Sequence, residues 1–295
     1  MLSSKNASLS PHLVADGVIL GISVLGGISF SLVKGALEAT SPANLMFLRF
    51  SVACLILVPF AWAKRSSWSG DVSLRGAMIG LILFGGFIAH TFGLVYTSAS
   101  RSGFITSFCV VLVPMLSIIL LKKMPGWLAI AGAGLAFWGL YLFTSFDKIQ
   151  GLAFNLGDAL ILVSAFLWAG HMIAVGHYAP RLDIFWLVFM QMAVTAIGSL
   201  VWSMVSREMV FDLPVGAYGA ILFLAIGGTV VITLGQVWAQ ARTTPTRTAI
   251  IWSMEPVFAS FFAWFWLGER MGSWGVIGAA FILSGILLAE LKPKR

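Results

Sequence analysis

Ten long apolar runs, separated by short polar breaks, dominate this sequence. Each is close to the roughly 20 residues that a helix needs to cross a bilayer. The runs are too long and continuous for the ten-residue alternation of a membrane β-barrel, and open strands would leave backbone groups unpaired in lipid. The sequence therefore predicts an all-α polytopic membrane protein with ten transmembrane helices. The predicted spans are residues 13–35, 43–63, 75–98, 102–121, 126–144, 155–177, 183–205, 215–239, 246–267 and 272–290.

The composition excludes several classes of protein. Of the 295 residues, 59% are apolar and 10% are charged, and the mean hydropathy is +0.98. A soluble domain needs about 25% charged residues to cover its surface, so a soluble enzyme, a nucleic-acid-binding domain and a disordered chain are excluded. Cys54 and Cys109 lie inside apolar runs and indicate neither a disulfide framework nor a metal site. No metal or cofactor is expected.

The net charge of +7 follows the pattern of charges that orient a membrane protein. Most Lys and Arg residues stand in the breaks, and such residues favour the cytoplasmic side. The sequence therefore predicts that both termini are cytoplasmic, that no nucleic acid is bound, and that the first run is a membrane helix and not a cleaved signal peptide. Short loops suit a bacterial inner (plasma) membrane, and we expect a monomer. With this orientation, few basic residues fall on the outside: Lys34, Arg101, Lys148, Arg207 and Arg270.

The two halves of the chain resemble each other. At an offset of 146, Arg101 aligns with Arg247, and Gly126, Gly132 and Gly139 align with Gly272, Gly278 and Gly285. At an offset of 142, Asp16 aligns with Asp158 and Phe47 with Phe189. Each half has five spans, so the second half enters the membrane from the opposite side. The sequence predicts two inverted five-helix repeats, residues 1–148 and 149–295, an architecture typical of secondary transporters with a substrate site near the midplane.

Several short motifs are similar to those of one protein family. They are Tyr96-Thr97-Ser98-Ala99, Ser253-Met254-Glu255-Pro256-Val257-Phe258, Leu267-Gly268-Glu269-Arg270 and Arg49-Phe50. With these motifs the chain resembles, over nearly its whole length, the EamA-type branch of the drug/metabolite transporter superfamily. The resemblance implies ten helices in two inverted repeats and the export of small metabolites or amino acids. Lys122-Lys123 stands where the family often has Gly-Glu, so the role of that loop is not carried over.

His90 and Gln236 are repeat mates at the offset of 146 and lie within predicted spans. Gln236 belongs to a stripe that recurs at three- and four-residue spacing and therefore lies on one helix face. Polar side chains deep in lipid usually face a partner or a cavity. We expect both to contact a small-molecule substrate across a central cavity; the alternative is a hydrogen bond between helices without substrate contact. The stripe is Thr229, Thr233, Gln236 and Gln240.

Glu255 is the acidic residue nearest the middle of any predicted span. A carboxyl group there is either neutral or paired. Pro256 weakens the bond to the Trp252 carbonyl, and Pro114 does the same at Val110, since proline has no N–H. Broken helices at matched depth can offer free carbonyls to a ligand. Glu255 therefore binds a substrate ammonium group, carries a coupled proton, or is structural.

Arg49 lies roughly 9 Å from the end of its span, at 1.5 Å per residue. It either extends to the interface, holds a substrate carboxylate, or forms a structural or gating pair, which we favour. Its repeat mate, Gln191, is polar but uncharged. Asp16 and Asp158 stand at predicted helix starts, where N-capping explains both.

Aromatic residues offer a wall for the expected cavity. Trp168 and His171 are one turn apart and share a helix face. With Trp252, Trp238 and Tyr96 they would suit an apolar or aromatic substrate, or a cation held by ring faces. General packing is the alternative, because Trp and Phe are common throughout the chain.

The function that fits these features is a secondary exporter of small metabolites, most of all amino acids with apolar or aromatic side chains, in a lipid bilayer. Export of other metabolites or drugs is the alternative. The sequence has no phosphate-binding loop for ATP, no zinc-protease motif and no nucleophile elbow. A channel would need a charge ring or filter, and none is visible, so a channel and an intramembrane enzyme are disfavoured.

Overall fold

The computed structural model describes residues 11–97, 99–122, 124–145, 155–267 and 273–291, and this part of the chain is helical with no strand. The predicted boundary between residues 148 and 149, both termini and Glu269-Arg270 lie outside the described residues. The helices are α1 Pro11–Ala36, α2 Pro42–Ala63, α3 Gly70–Tyr96, α4 Ala99–Ser107, α5 Cys109–Leu121, α6 Trp127–Ser145, α7 Leu156–Tyr178, α8 Ile184–Val205, α9 Val215–Ala225, α10 Ile232–Gln240, α11 Pro245–Trp252, α12 Glu255–Leu267 and α13 Ser273–Glu290.

Six helical segments in the described residues are long and apolar enough to cross a membrane. Three shorter apolar helices lie within residues 105–121, 127–139 and 276–288. Large apolar side chains such as Leu55 (69% exposed) and Val205 (78% exposed) point away from the protein interior, as lipid-facing residues do. The six long segments are His12–Ala36, Pro42–Ala63, Gly70–Tyr96, Leu156–Arg181, Ile184–Val205 and Val215–Gln240.

Side chains cap several helix starts and thereby satisfy free backbone N–H groups. Asn155 and Asp158 form a reciprocal capping box at the start of α7, which confirms a capping role for Asp158. The same prediction for Asp16 is wrong. Asp16 lies inside α1, beyond its first turn, and its carboxylate forms a 2.6 Å ion pair with Nη2 of Arg247 at the start of α11.

Two predicted spans are each divided into two helices. The first divides at Phe108, between α4 and α5, and the second at Ser253-Met254, between α11 and α12. Pro256 directly follows its break, as predicted, but Pro114 lies inside α5, six residues beyond the break. The hydroxyls of Ser107 and Ser253, which are repeat mates, instead bond to carbonyls of the preceding turn. Such bonds compete with the helical pattern and bend helices.

The helix boundaries follow the two offsets found in the sequence. Adding 146 to Ala99, Cys109 and Trp127, where α4, α5 and α6 begin, gives Pro245, Glu255 and Ser273, where α11, α12 and α13 begin. Adding 142 to both ends of α2 gives both ends of α8. Equivalent parts of the two halves therefore fold into equivalent helices.

Helices α6 and α13 pack backbone against backbone. A β-carbon at Gly139 would lie 2.6 Å from the Gly278 carbonyl oxygen, and one at Gly285 would lie 2.6 Å from the Gly132 carbonyl oxygen. The contacts are reciprocal, because Gly132 and Gly139 are the repeat mates of Gly278 and Gly285. Elsewhere α2 packs on α8, α3 on α7 and α8, and α1 on α10 and α12.

Four apolar clusters in the described part of the chain hold these helices together, and two of them are the largest. Phe50, Leu57, Ile79, Leu187 and Met192 belong to the larger one, which joins α2, α3 and α8. The second joins α1, α5, α6, α11 and α13, and includes Ile19, Val110, Ala136, Ile250 and Ile282. A cavity lined by apolar and aromatic side chains with a few polar groups lies among the helices.

Candidate functional site

The cavity is lined from both halves of the chain, by α1–α5, α7 and α10–α12, and by the turn that joins α9 to α10. Its walls combine aromatic rings with a few polar groups, as ligand sites commonly do. The aromatic residues are Phe30, Phe87, Trp168 and Trp252. The larger polar residues are Arg49, His90, Thr91, Thr106, His171, Thr233, Gln236 and Glu255.

His90, in the last third of α3, is held on three sides. Its Nε2 lies 3.2 Å from the Ser102 hydroxyl, and its ring packs against Phe30 and Trp168 at centroid distances of 5.3 and 4.8 Å. Gly86, one turn before His90, gives Trp168 room: a β-carbon there would lie 2.7 Å from the indole. The sequence placed His90 and Trp168 in one site, and the structure brings them into contact.

Gln236 also lines the cavity, but its amide is turned along its own helix. It donates to Oε1 of Gln240 at 2.9 Å, and Gln240 donates to the Met172 carbonyl at 2.8 Å. The residues of the polar stripe therefore have different roles. Thr233 and Gln236 face the cavity, whereas Gln240 ties α10 to α7.

Arg49 is buried beside the cavity at 7% exposure and does not extend to the interface. Its Nε donates to the Thr229 hydroxyl at 2.6 Å and its Nη2 to the Gly228 carbonyl at 2.8 Å. Both acceptors lie in a widened π-helical turn, Ile226–Val231, between α9 and α10. The guanidinium also lies over the Phe87 ring, 5.1 Å from its centroid. This turn was not predicted from the sequence, although the pair Gly227-Gly228 inside an apolar run could have indicated an irregular helix there.

Glu255 begins α12, directly after the broken segment, and is partly buried. Its Oε2 accepts a hydrogen bond from Trp252 Nε1 at 3.1 Å. Its other oxygen lies against Gly26 of α1, where a β-carbon would overlap it. The Glu255 side chain thus occupies the space that a side chain at position 26 of α1 would fill.

Among the described residues, neither Arg49 nor Glu255 has an oppositely charged side chain within ion-pair distance. The two are nevertheless close to the same stretch of α1. Glu255 touches Gly26, while Arg49 Nη2 and Ser29 Oγ meet around Gly228. Residues 26 and 29 are neighbours on one helix face, and both Arg49 and Glu255 line the cavity.

Thr106 adds a polar group that the sequence analysis did not select. It is 7% exposed and lines the cavity, and its hydroxyl has no hydrogen-bond partner in the described part of the chain. A buried polar group without a partner costs free energy unless a ligand or water satisfies it. Phe30 and Phe87 were also missed, because nothing in a Phe-rich sequence separates these two from the rest.

Three residues selected from the sequence lie elsewhere than in the cavity wall. Tyr96 ends α3, is 52% exposed and does not line the cavity, and its role as a substrate contact stays a prediction. Trp238 is stacked by Arg242, 4.1 Å from the ring centroid, and does not line the cavity. Gln191 is buried and lies outside the cavity wall. Its Oε1 lies 2.7 Å from Nε2 of His171, which does line the cavity, so Gln191 supports a residue of the wall.

A polar contact closes the bundle at each end of α1. Near its start lies the Asp16–Arg247 ion pair. Near its end, Lys34 Nζ donates to the Leu94 carbonyl at 2.6 Å, and the Thr97 hydroxyl donates to Asp158 at 2.9 Å. Asp16 and Lys34 are about 27 Å apart along the helix, at 1.5 Å per residue, and the residues of α1 that line the cavity lie between them.

The described residues contain no group of three or more His, Cys, Asp or Glu side chains placed to hold a metal ion.

Comparisons with known proteins agree on one family. The model of the EamA-like transporter family matches residues 13–145 and again residues 155–291. An "Uncharacterized transporter" of Archaeoglobus fulgidus is 30% identical over 95% of this chain and 87% of its own length. YyaM of Bacillus subtilis, also named an uncharacterized transporter, is 26% identical over 95% and 94%.

One more relative with a named cargo and one solved structure are also similar to this chain. A Chlamydia trachomatis protein named "S-adenosylmethionine/S-adenosylhomocysteine transporter" is 25% identical over 88% of this chain and 84% of its own length. A solved crystal structure has the same fold, with a TM-score of 0.79, 16% identity, and coverage of 96% of this chain and 97% of the other.

Apolar helices of membrane-spanning length around a cavity lined by aromatic and polar side chains define a multi-pass membrane protein. The chain belongs to the EamA-like transporter family.

Proposed function

We propose that the protein is a secondary exporter of small metabolites, above all amino acids with apolar or aromatic side chains, that works by alternating access. The observation that supports this most is the cavity itself. Aromatic rings and two opposite charges surround one space between the halves of the chain. That arrangement suits a compact molecule with an apolar side chain and a polar head.

Alternating access requires two halves that can exchange their packing. We propose ten membrane-spanning helices in two inverted five-helix repeats, residues 1–148 and 149–295. The shared helix boundaries at offsets of 146 and 142 support this, as do the reciprocal glycine contacts of α6 and α13. In other transporters of inverted-repeat architecture, the substrate site lies between the repeats.

The two ends of the cavity are proposed to open in turn. The Asp16–Arg247 pair holds α1 to α11 at one end, and the Lys34 and Thr97 contacts hold α1, α3 and α7 together at the other. Breaking one set while keeping the other would expose the cavity to one side only. Arg49, Gln191 and Glu255 lie between these ends and are proposed to couple or gate the exchange.

The proposed setting is a bacterial inner membrane with both termini in the cytoplasm and a monomeric protein. Reporter tags at the two ends test the orientation. Equal cytoplasmic signals are expected, and opposite signals would rule out an even number of spans.

Export of other metabolites or drugs is the second candidate. The named cargo of the Chlamydia relative favours it, since that name gives two metabolites larger than common amino acids. A channel and an intramembrane enzyme have no observation in their favour.

The experiment that tests transport starts with cells that overproduce the protein. Protection from a panel of toxic amino acids and metabolites identifies a cargo, and its efflux is then measured in proteoliposomes. A carrier shows counterflow, in which cargo on the far side speeds exchange, whereas a channel does not. Absence of any protection or efflux, with protein present in the membrane, would refute the proposal. Glu38→Gln, at an exposed position, is the control variant.

A further inference from the structure

We propose that Gln191 holds His171 in the one neutral form that offers a lone pair to the cavity, so that His171 selects a cargo able to donate a hydrogen bond. The selection of cargo rests on the proposed transport function, whereas the form of the ring does not. Gln191 is then a positioning residue and His171 a specificity-determining one.

The direction of the Gln191 amide is fixed by its two neighbours. Its Nε2 donates to the Leu187 carbonyl at 3.0 Å, and its Oε1 lies 2.7 Å from Nε2 of His171. A carbonyl oxygen accepts hydrogen bonds and cannot donate them. The amide nitrogen therefore faces Leu187 and the amide oxygen faces His171, because the reversed amide would place two acceptors against each other.

The amide oxygen in turn fixes the hydrogen of the ring. An oxygen at this distance accepts a hydrogen bond, so Nε2 of His171 carries the hydrogen. His171 is 2% exposed and has no carboxylate partner in the described part of the chain. A charged ring buried in this way would be costly, so the ring is neutral. A neutral imidazole has one N–H and one bare nitrogen, and Nδ1 is the bare one.

The bare nitrogen is open to the cavity that His171 lines. Among the described residues Nδ1 has no hydrogen-bond partner, and it is not one of the fully buried polar atoms. A cargo that displaces water from Nδ1 must donate a hydrogen bond there, or the acceptor is left unsatisfied at a cost in free energy. The site therefore favours a cargo with an N–H or O–H group.

Packing keeps the Gln191 amide in place. Gln191 is 0% exposed, so water does not compete for its oxygen. Gly80 of α3 lies against its backbone, where a β-carbon at Gly80 would be 2.9 Å from the Gln191 Cα. The Thr195 hydroxyl donates to the Gln191 carbonyl at 2.8 Å. The residue that orients the ring thus belongs to the close contact of α3 with α8.

Thr106 gives independent support for a ligand that forms hydrogen bonds. It is 7% exposed, and its hydroxyl lines the cavity without a partner in the part of the chain that the structure describes. Two cavity groups on different helices, the Thr106 hydroxyl on α4 and Nδ1 of His171 on α7, are therefore left for a polar ligand to satisfy.

The form of the ring is tested by NMR on the purified full-length protein with ¹⁵N-labelled histidine, in weakly alkaline buffer. Protonated and bare ring nitrogens give separate signals, and the signals lost in His171→Phe are those of this residue. Nε2 is expected to be protonated and Nδ1 bare. A hydrogen on Nδ1, alone or together with one on Nε2, would overturn the inference.

Gln191→Met tests the positioning role, because methionine fills a similar space without an amide oxygen. This variant is expected to show His171 as a mixture of its two neutral forms. Ser199→Ala is the matched control: Ser199 is also buried on α8 but bonds to the Thr195 carbonyl, so the His171 signals should not change. If Gln191→Met does not fold, Gln191→Leu replaces it. An unchanged ring in the variant would show that Gln191 does not position it.

The selection of cargo is tested with two pairs of probes of nearly equal shape, indole with benzofuran and phenol with fluorobenzene. Indole and phenol donate a hydrogen bond, and their partners cannot. In equilibrium dialysis the donor of each pair is expected to bind about fivefold more tightly and to shift the Nδ1 signal of His171.

His171→Phe is expected to bring the affinity ratio of each pair close to one, whereas a role in packing alone would lower all four affinities and leave the ratios unchanged. Equal affinities within both pairs in the unsubstituted protein, no binding of indole or phenol, or unchanged ratios in His171→Phe would overturn selection by His171.

The outcomes distinguish this inference from the proposed function. Export of a cargo that has neither an N–H nor an O–H group would refute selection by His171 and leave transport standing. If the proteoliposomes export nothing, transport is refuted, and the purified protein still decides the form of the ring and the probe ratios.

Discussion

At the scale of single residues, the site depends on two adjacent positions of α1 that carry no side chain, Gly26 and Gly27. Gly26 leaves the space that the Glu255 carboxylate occupies, and Gly27 lies under the backbone of α12, where a β-carbon would be 2.8 Å from Ala259 N. A flexible carboxylate can be displaced, but a backbone cannot. The two adjacent glycines therefore have separable roles, one for the site and one for packing.

Gly26→Ala is expected to displace Glu255 and lower the transport rate about tenfold, equivalent to about 1.4 kcal/mol, while the protein stays folded. Efflux from proteoliposomes and the thermal unfolding temperature in detergent measure the two effects. Gly21→Ala is the matched control, because no atom lies near its added methyl group. Equal efflux in both variants would show that the position of Glu255 is unimportant.

His90→Ala is expected to lower transport by a similar factor, about tenfold. The change removes the bond to Ser102 and the ring between Phe30 and Trp168. His90→Asn keeps a hydrogen-bonding group and should retain more activity than His90→Ala. Normal efflux by a normally expressed His90→Ala variant would remove His90 from the site.

At the scale of helices, irregular segments place the polar groups. The π-helical turn presents Thr229 and Gly228 to Arg49, and the break before α12 places Glu255 at a helix start. Regular helices surround these segments and hold them in place. Contacts between glycines keep some of those helices unusually close.

Gly139→Ala is expected to destabilise the protein by about 1–3 kcal/mol, the usual cost of forcing extra atoms into a packed contact. Gly285→Ala should act similarly, since its contact is reciprocal. Gly134→Ala, on α6 but with no atom near the added methyl group, is the control and should be neutral or slightly stabilising. Thermal unfolding in detergent measures all three. A loss at Gly134 as large as at Gly139 would contradict this packing.

The helices could be predicted because apolar runs and charged breaks are local properties of the sequence. The breaks between α4 and α5 and between α11 and α12 were predicted only near their positions, since they lie at Phe108 and Ser253-Met254, while Pro114 lies inside α5. The π-helical turn was missed, and its contacts with Arg49 join residues about 180 positions apart, which a local pattern does not reveal. That Tyr96 lies outside the cavity wall could not be predicted, because a motif does not tell which way the end of a helix faces.

At the scale of the whole molecule, the polar contacts at the two ends of α1 are proposed to decide which side of the cavity is closed. Both must be weak enough to break during a transport cycle. The Asp16–Arg247 pair is the better target, because its partners are side chains alone.

Asp16→Asn is expected to open the end of the cavity at which α11 begins. Cys109 lines the cavity, so in a Cys54→Ser background its reaction with a membrane-impermeant maleimide should rise several-fold from the cytoplasmic side. The exchanged pair, Asp16→Arg with Arg247→Asp, should restore part of the protection. Asp71→Asn breaks an exposed pair with Arg75 and should change nothing, since exposed pairs contribute little. Unchanged labelling of Cys109 in Asp16→Asn would show that the pair does not close this end.

The reciprocal contact of α6 and α13 also bears on how such a chain can arise. In the proposed inverted arrangement, Gly132 and Gly139 meet Gly278 and Gly285 just as two separate five-helix chains would meet if one were inserted upside down. The pair therefore retains, inside a single polypeptide, the form of a homodimer interface. In the proposed arrangement, a gene for one half is expected to encode a chain that can pair with itself through this helix, provided that it enters the membrane in both orientations.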